Sequence, residues 1–178
     1  MMHHALSIGT ASLLAFVLAV AVTDLRRRRI PNLLTLPAAA VGLAVNLSTA
    51  GGLGALESVG GLLAGLAAFL PFYIARGFGA GDVKAMAAIG AFLGPQGALL
   101  AAAWILIAGA IGGVLVLLVC GKHGAIQALA RRWMLRAYLI CTTGRLPQIQ
   151  APAGDAAALR FPYGLAIACG TFASLAWS

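Results

Sequence analysis

Residues 98–119 read ALLAAAWILIAGAIGGVLVLLV and contain no charged side chain. A helix that rises about 1.5 Å per residue makes this stretch roughly 33 Å long, close to the ~30 Å hydrocarbon core of a bilayer. The whole chain has the same character, since 62% of its 178 residues are hydrophobic and 9% are charged, against about 25% charged in a soluble domain. These values exclude a soluble globular protein and predict an all-α membrane protein.

Further apolar runs predict a polytopic bundle. We expect about six transmembrane helices in a single domain of residues 1–178, because spans of about 20 residues occupy most of the chain. The predicted spans are residues 5–23, 33–50, 59–75, 83–93, 98–119 and 161–177. The first run is interpreted as an uncleaved span and not a signal peptide, because its basic cluster, Arg26 to Arg29, follows it.

The basic residues predict the orientation in the membrane. In the six-span arrangement all 12 Lys and Arg fall on one side, which the positive-inside rule makes the cytoplasm. Both termini then face outward from the cytoplasmic (inner) membrane. The net charge of +8 is explained in this way, so no nucleic-acid partner is predicted. Within the cytoplasmic loop 121–160, residues 128–140 predict an interfacial amphipathic helix on anionic lipid, with an ordinary basic loop as the alternative.

Metal and disulfide chemistry find no support in the sequence. The three cysteines are odd in number and too far apart for a CxxC pair, so neither a zinc site nor a disulfide framework is predicted. The three histidines lie outside the predicted spans. We therefore expect catalysis, if any, to need no metal or other cofactor.

Two of the four acids, Asp24 and Asp82, lie at the cytoplasmic ends of predicted spans one and four, at the same depth. Each has a structural alternative: Asp24 balances the nearby arginines, and Asp82 caps its helix. Two carboxylates a few ångström apart repel by about 4 kcal/mol at an effective dielectric near 20, so they would share one proton. The ionised acid then accepts a proton from water, and the protonated acid polarises a carbonyl. The pair predicts peptide hydrolysis.

Residues 76–84, RGFGAGDVK, place three alternating glycines before Asp82. We expect an extended backbone free of side chains, along which a substrate strand pairs, and the alternative is that the glycines only form a flexible turn. Gly79 and Gly81 are therefore predicted to bind substrate, and Lys84 is a further candidate whose alternative is a lysine that reaches the membrane interface. The spacing excludes a phosphate-binding loop.

Three other small-residue segments carry predictions about packing. Pro31 and Asn32 are expected to start the second span. The pair Gly61 and Gly65 predicts a close helix contact. Pro162 and Gly164, at the start of the last span, are expected to loosen that end of the span or to make room for a substrate helix.

Three segments together resemble the type IV prepilin leader peptidase family of GxGD-type membrane aspartic proteases. Residues 79–84, GAGDVK, look like the family's GxGD segment, and Asp24 with the following Ile30-Pro31-Asn32 is similar to its first catalytic segment. Residues 161–170, FPYGLAIACG, resemble its closing segment. The resemblance implies that Asp24 and Asp82 are catalytic in removing the basic leader of prepilins or pseudopilins, after a Gly at the cytoplasmic face, for pilus assembly or type II secretion.

Longer members of that family carry an N-terminal cytoplasmic region with paired CxxC motifs, associated with N-methylation of the product. Because Asp24 ends the first predicted span, the chain resembles the short form of tight-adherence (Flp-type) pilus systems, and no N-methyltransferase activity is expected. Two alternatives stay open. One is a small transporter or channel whose acids carry protons or bind a cation, and the other is a pilus-assembly scaffold that needs no acid pair.

Overall fold

The computed structural model describes residues 2–75, 77–119, 134, 142 and 163–177. These residues form four helices and no strand: α1 (Met2–Arg27), α2 (Asn32–Ile74), α3 (Ala80–Val119) and α4 (Tyr163–Trp177). The all-α prediction is confirmed for this part of the chain. Helices α1, α2 and α3 each contain a stretch long and apolar enough to cross a membrane. Except for Met134, the amphipathic helix predicted at 128–140 lies outside the described residues.

A single glycine breaks each of the two longest helices. Gly51 in α2 has φ 59° and ψ −139°, and Gly94 in α3 has φ 71° and ψ 178°. Glycine adopts such positive φ values without a steric penalty. Residues eight apart, which a straight helix separates by about 12 Å, pack against each other across both breaks: Asn46 with Gly54, and Gly90 with Ala98. The chain therefore folds back at each glycine.

The connections at these breaks are shorter than the sequence predicted. We expected loops at 51–58 and 94–97, but helical residues resume at Gly52 and Pro95. One glycine with positive φ is enough to end a helix, and Pro95 suits the first turn of the next segment because its missing N–H is not needed there. Helix α2 thus consists of segments 32–50 and 52–74, and α3 of segments 80–93 and 95–119.

The segment 80–93 lies at the centre of the fold. Val83 and every residue of 85–91 are buried, as expected for a helix that is apolar on all faces. The largest buried side chains of the core come from all four helices, and two of them, Met86 and Ile89, belong to this segment. The others are Leu13, Phe69, Ile105 and Ile167. The shortest of the predicted spans is therefore the central helical segment, and it begins at the turn that carries Asp82.

Glycines allow backbone contact between α2 and the central segment. Gly61 packs directly against Gly90 and Gly94, and a Cβ atom at Gly65 would lie 2.5 Å from the Met86 carbonyl oxygen. The helix contact predicted for Gly61 and Gly65 is confirmed. The start of α2 is confirmed as well, since Pro31 is extended (φ −74°, ψ 144°) and the helix begins at Asn32.

The chain divides into two compact units, residues 1–109 with 162–178, and residues 110–161. The first unit contains the core and both of the acids singled out by the sequence. The described part of the second unit is the end of α3, together with Met134 and Thr142.

Candidate active site

Asp24 lies in the last turn of α1 and is only 8% exposed. Its Oδ2 accepts a hydrogen bond of 2.7 Å from the Gly164 N–H, in the first turn of α4. A carboxylate at a helix C-terminus is opposed by its own helix dipole. The start of α4 offsets this unfavourable interaction, because the first N–H groups of a helix lack helical acceptors and favour negative charge.

The arginines that follow Asp24 do not hold its carboxylate. Arg26 to Arg29 are all exposed, and no salt bridge joins them to Asp24 within the described part of the chain. Helix α1 ends just after this point, where the Arg28 N–H donates to the Asp24 carbonyl oxygen and Arg28 adopts φ 50°. The carboxylate is therefore engaged with the start of α4 and not with the basic cluster.

Asp82 lies in the first turn of α3 and is half-buried. Its Oδ2 accepts a hydrogen bond of 2.9 Å from the Gly79 N–H, just before the helix. An acid at the third helical position that reaches back to the capping residue forms one half of a capping box. Asp82 thus contributes to the helix start, as its structural alternative foresaw, while only one of its two carboxylate oxygens takes part.

The fold brings the two acids together. Asp24 and Asp82 lie within electrostatic range of each other, although 57 residues separate them in the sequence. Each holds a backbone N–H through Oδ2, and no hydrogen bond to either Oδ1 occurs among the described residues. Within the described part of the chain, the site therefore offers two carboxylates in electrostatic range of each other, each with one oxygen that accepts no hydrogen bond there.

Two contacts tie the segment after Asp24 to the first turn of α3. A Cβ atom at Gly81 would lie 3.0 Å from Ile30 Cβ and 3.3 Å from the Ile30 carbonyl oxygen. Lys84 Nζ donates a hydrogen bond of 2.9 Å to Asn32 Oδ1. Lys84 is exposed and is bonded to the start of α2. These contacts connect the chain segments that carry the two acids.

The glycine segment, residues 77–81, is less extended than predicted. Helix α3 begins at Ala80, so Gly81 lies in a helical turn. The Gly77 N–H donates to the Phe72 carbonyl oxygen at 2.8 Å, and the Gly79 N–H donates to Asp82. The extended edge expected across residues 77–81 is therefore wrong from Ala80 onward, because the Asp82 carboxylate helps to start the helix there.

An aromatic cluster that was not predicted from the sequence is centred on Phe78, between Gly77 and Gly79. The Phe78 ring lies 4.5 Å from the Tyr163 ring and 5.1 Å from each of the Phe69 and Phe72 rings, between centroids. The cluster joins the end of α2, the glycine segment and the start of α4. Its only sequence signals were Phe78, placed between two glycines, and Tyr163, placed after a proline.

The residue next to Gly164 also differs from the sequence prediction. We expected this glycine to make room for a substrate helix, but Asp24 occupies that space. A Cβ atom at Gly164 would lie 2.6 Å from Asp24 Cβ and 3.1 Å from Asp24 Oδ2. The close approach of α4 to α1 therefore depends on glycine at this position.

The described residues contain no group of three or more His, Cys, Asp or Glu side chains that could hold a metal ion.

Comparison with known proteins identifies a family for this chain. Neither the curated proteins nor the solved structures gave a match. Residues 11–121 match the type IV leader peptidase family. The matched region covers more than half of the chain and includes both Asp24 and Asp82. The chain therefore belongs to the type IV leader peptidase family.

Proposed function

We propose that this protein is a membrane-embedded aspartic endopeptidase that removes the leader peptide from type IV prepilins or pseudopilins. Family membership implies leader peptidase activity in general. The observation that carries the aspartic mechanism is that Asp24 and Asp82 lie within electrostatic range of each other, each holding one backbone N–H through Oδ2. Neighbouring carboxylates that share a proton are the arrangement with which aspartic proteases activate water.

In the proposed reaction, the ionised carboxylate accepts a proton from water while the water oxygen attacks the scissile carbonyl carbon. The protonated carboxylate donates a hydrogen bond to the carbonyl oxygen and stabilises the tetrahedral intermediate. Collapse of the intermediate breaks the C–N bond, and the leaving amine takes up a proton from the pair. The Oδ1 atoms of Asp24 and Asp82, which accept no hydrogen bond from the described residues, suit these roles, because each Oδ2 already accepts one from the backbone.

We propose six spans, both termini outside, and an active site at the cytoplasmic face of the inner membrane. The breaks at Gly51 and Gly94 divide α2 and α3 into segments that correspond to four of the predicted runs. Helices α1 and α4 correspond to the first and last runs. Arginines next to Asp24, and Lys84 next to Asp82, mark the cytoplasmic ends by the positive-inside rule.

The proposed substrates are Flp-type prepilins, cut after a Gly at the end of a basic leader. N-methylation of the product is not part of the proposal. Gly79, Gly81 and Lys84 are proposed to contact substrate, because they flank Asp82 and the first and last of them are exposed. A pilus-assembly scaffold does not need two carboxylates held in this way.

Coexpression with an Flp-type prepilin tests the proposal. We expect a faster-migrating product on a gel, and N-terminal sequencing should place the cut directly after the leader Gly. A prepilin that stays full length beside correctly inserted protein would contradict the proposed activity and favour the scaffold or transporter.

A further inference from the structure

The start of α4 holds one side of the acid pair. The Gly164 N–H, which lies in the first turn and has no helical acceptor there, donates to Asp24 Oδ2 at 2.7 Å in a buried position. Because a carboxylate is planar, a fixed Oδ2 also fixes the direction in which Oδ1 points. The orientation of Asp24 is therefore set from α4.

Glycine is required for this contact. A Cβ atom at Gly164 would lie 2.6 Å from Asp24 Cβ and 3.1 Å from the Val20 carbonyl oxygen. The Val20 oxygen belongs to the backbone of α1 and cannot rotate away. Any side chain at position 164 must therefore displace Asp24 or move α4 away from α1.

The neighbouring residue reaches the other acid. The Tyr163 ring packs 4.5 Å from the Phe78 ring, between centroids, and Phe78 precedes Gly79, whose N–H holds Asp82 Oδ2. Tyr163 also lies within electrostatic range of Asp82. Its hydroxyl donates to the Ile105 carbonyl oxygen at 3.5 Å. The ring thus supports the turn that presents Asp82.

From these contacts we infer that Tyr163 and Gly164 form a positioning element that orients both carboxylates, Gly164 through a hydrogen bond to Asp24 and Tyr163 through its packing on Phe78. The inference rests on the proposed function and deepens it. The element lies outside residues 11–121, the region that matches the family. Catalytic groups displaced by about 1 Å lose roughly 100-fold in rate, so the element governs turnover without touching substrate.

A kinetic comparison of two glycines tests this role. Gly164→Ala should lower kcat by about 10- to 100-fold and leave KM nearly unchanged, because only the catalytic geometry is disturbed. Gly42→Ala is the matched control, since a Cβ atom there would lie 3.0 Å from the backbone of Ala91 and Phe92 and near neither acid. It should reduce the yield of folded protein but not kcat per folded molecule. Equal kcat values in the two variants would overturn the inference.

Removal of the Tyr163 ring tests the second part of the inference, the packing of Tyr163 on Phe78. Tyr163→Leu should lower kcat, and Tyr163→Phe should restore most of it, because Phe keeps the ring that packs on Phe78 and loses only the long hydrogen bond to Ile105. Equal kcat in the Leu and Phe variants would show that the ring does not position Asp82.

A spectroscopic readout tests the Gly164 contact without activity. In ¹⁵N-glycine-labelled protein in detergent, the Gly164 amide proton should lie downfield, because it is bonded to a carboxylate. Asp24→Asn should move this resonance and leave that of Gly79 in place, and Asp82→Asn should do the reverse. Loss of each signal in the corresponding Gly→Ala variant assigns it. An unmoved Gly164 resonance in Asp24→Asn would refute the contact, whereas wild-type protein that cleaves no prepilin would count against the proposed function.

Discussion

Near the break at Gly94, one backbone carbonyl oxygen has no donor within its own helix. Two side chains from α2 donate hydrogen bonds to it instead. Pro95 has no N–H, so the Ala91 carbonyl oxygen, four residues earlier, has no helical donor. Ser58 Oγ donates to it at 2.7 Å, and Asn46 Nδ2 donates to it at 2.9 Å and to the Phe92 oxygen at 3.2 Å. In apolar surroundings every backbone polar group needs such a partner. These bonds therefore hold the central segment against both halves of α2.

Substitutions of Ser58 and Asn46 should lower the free energy of unfolding by different amounts, and the two effects should not be additive. Ser58→Ala should cost about 0.5–1 kcal/mol, because Asn46 still donates to Ala91. Asn46→Leu should cost about 1–3 kcal/mol, because it leaves the Phe92 oxygen without the side-chain donor that reaches it. The double variant leaves the Ala91 oxygen unpaired as well, so we expect it to exceed the sum of the single effects by about 1 kcal/mol.

Reversible unfolding in mixed detergent micelles, followed by circular dichroism over increasing SDS, would measure these changes. Ser48→Ala is the matched control, because Ser48 Oγ is exposed and bonds the Val45 oxygen within its own helix at 2.7 Å. It should stay within about 0.5 kcal/mol of the wild type. Strictly additive effects of Asn46→Leu and Ser58→Ala would refute the shared carbonyl as the source of stability.

Three other predictions follow from the site and the topology. Gly81→Val should slow cleavage more than Gly81→Ala, because a Cβ atom already meets Ile30 at 3.0 Å; equal rates for the two variants would contradict the packing. Chelators should leave activity unchanged in detergent, and loss that a divalent ion restores would overturn the acid-pair mechanism. A Cys placed at Gln148 should resist impermeant thiol reagents in intact cells, and its labelling would invert the proposed topology.

Much of the helical layout was predictable because apolar length and charge placement are local properties of the sequence. The start of α2 at Asn32 and the contact at Gly61 followed from proline and small-residue patterns. The loop lengths were not predictable in this way. A run of polar and small residues at 51–58 looks like a loop, but one glycine with positive φ turned the chain and the rest stayed helical. Composition does not reveal where within such a run the backbone turns.

The two acids of the site were predictable from the sequence, whereas the long-range contact that holds Asp24 was not. Asp24 and Asp82 stood out because acids are costly inside apolar spans, and the fold brings them within electrostatic range. The contact between Gly164 and Asp24 joins residues 140 positions apart, and no local pattern encodes such a pair. The glycines before Asp82 suggested an extended edge, whereas the capping bond from Asp82 to Gly79 favours a helix start.

The most direct test of the central claim measures prepilin cleavage by Asp24→Asn and Asp82→Asn variants that insert at the wild-type level. Both should lose about 1,000-fold or more in rate, because neither remaining carboxylate can both activate water and polarise the carbonyl. Glu57→Gln, which changes an exposed acid in α2, should cleave at the wild-type rate. Full activity in either Asp variant would contradict the acid pair as the catalytic centre.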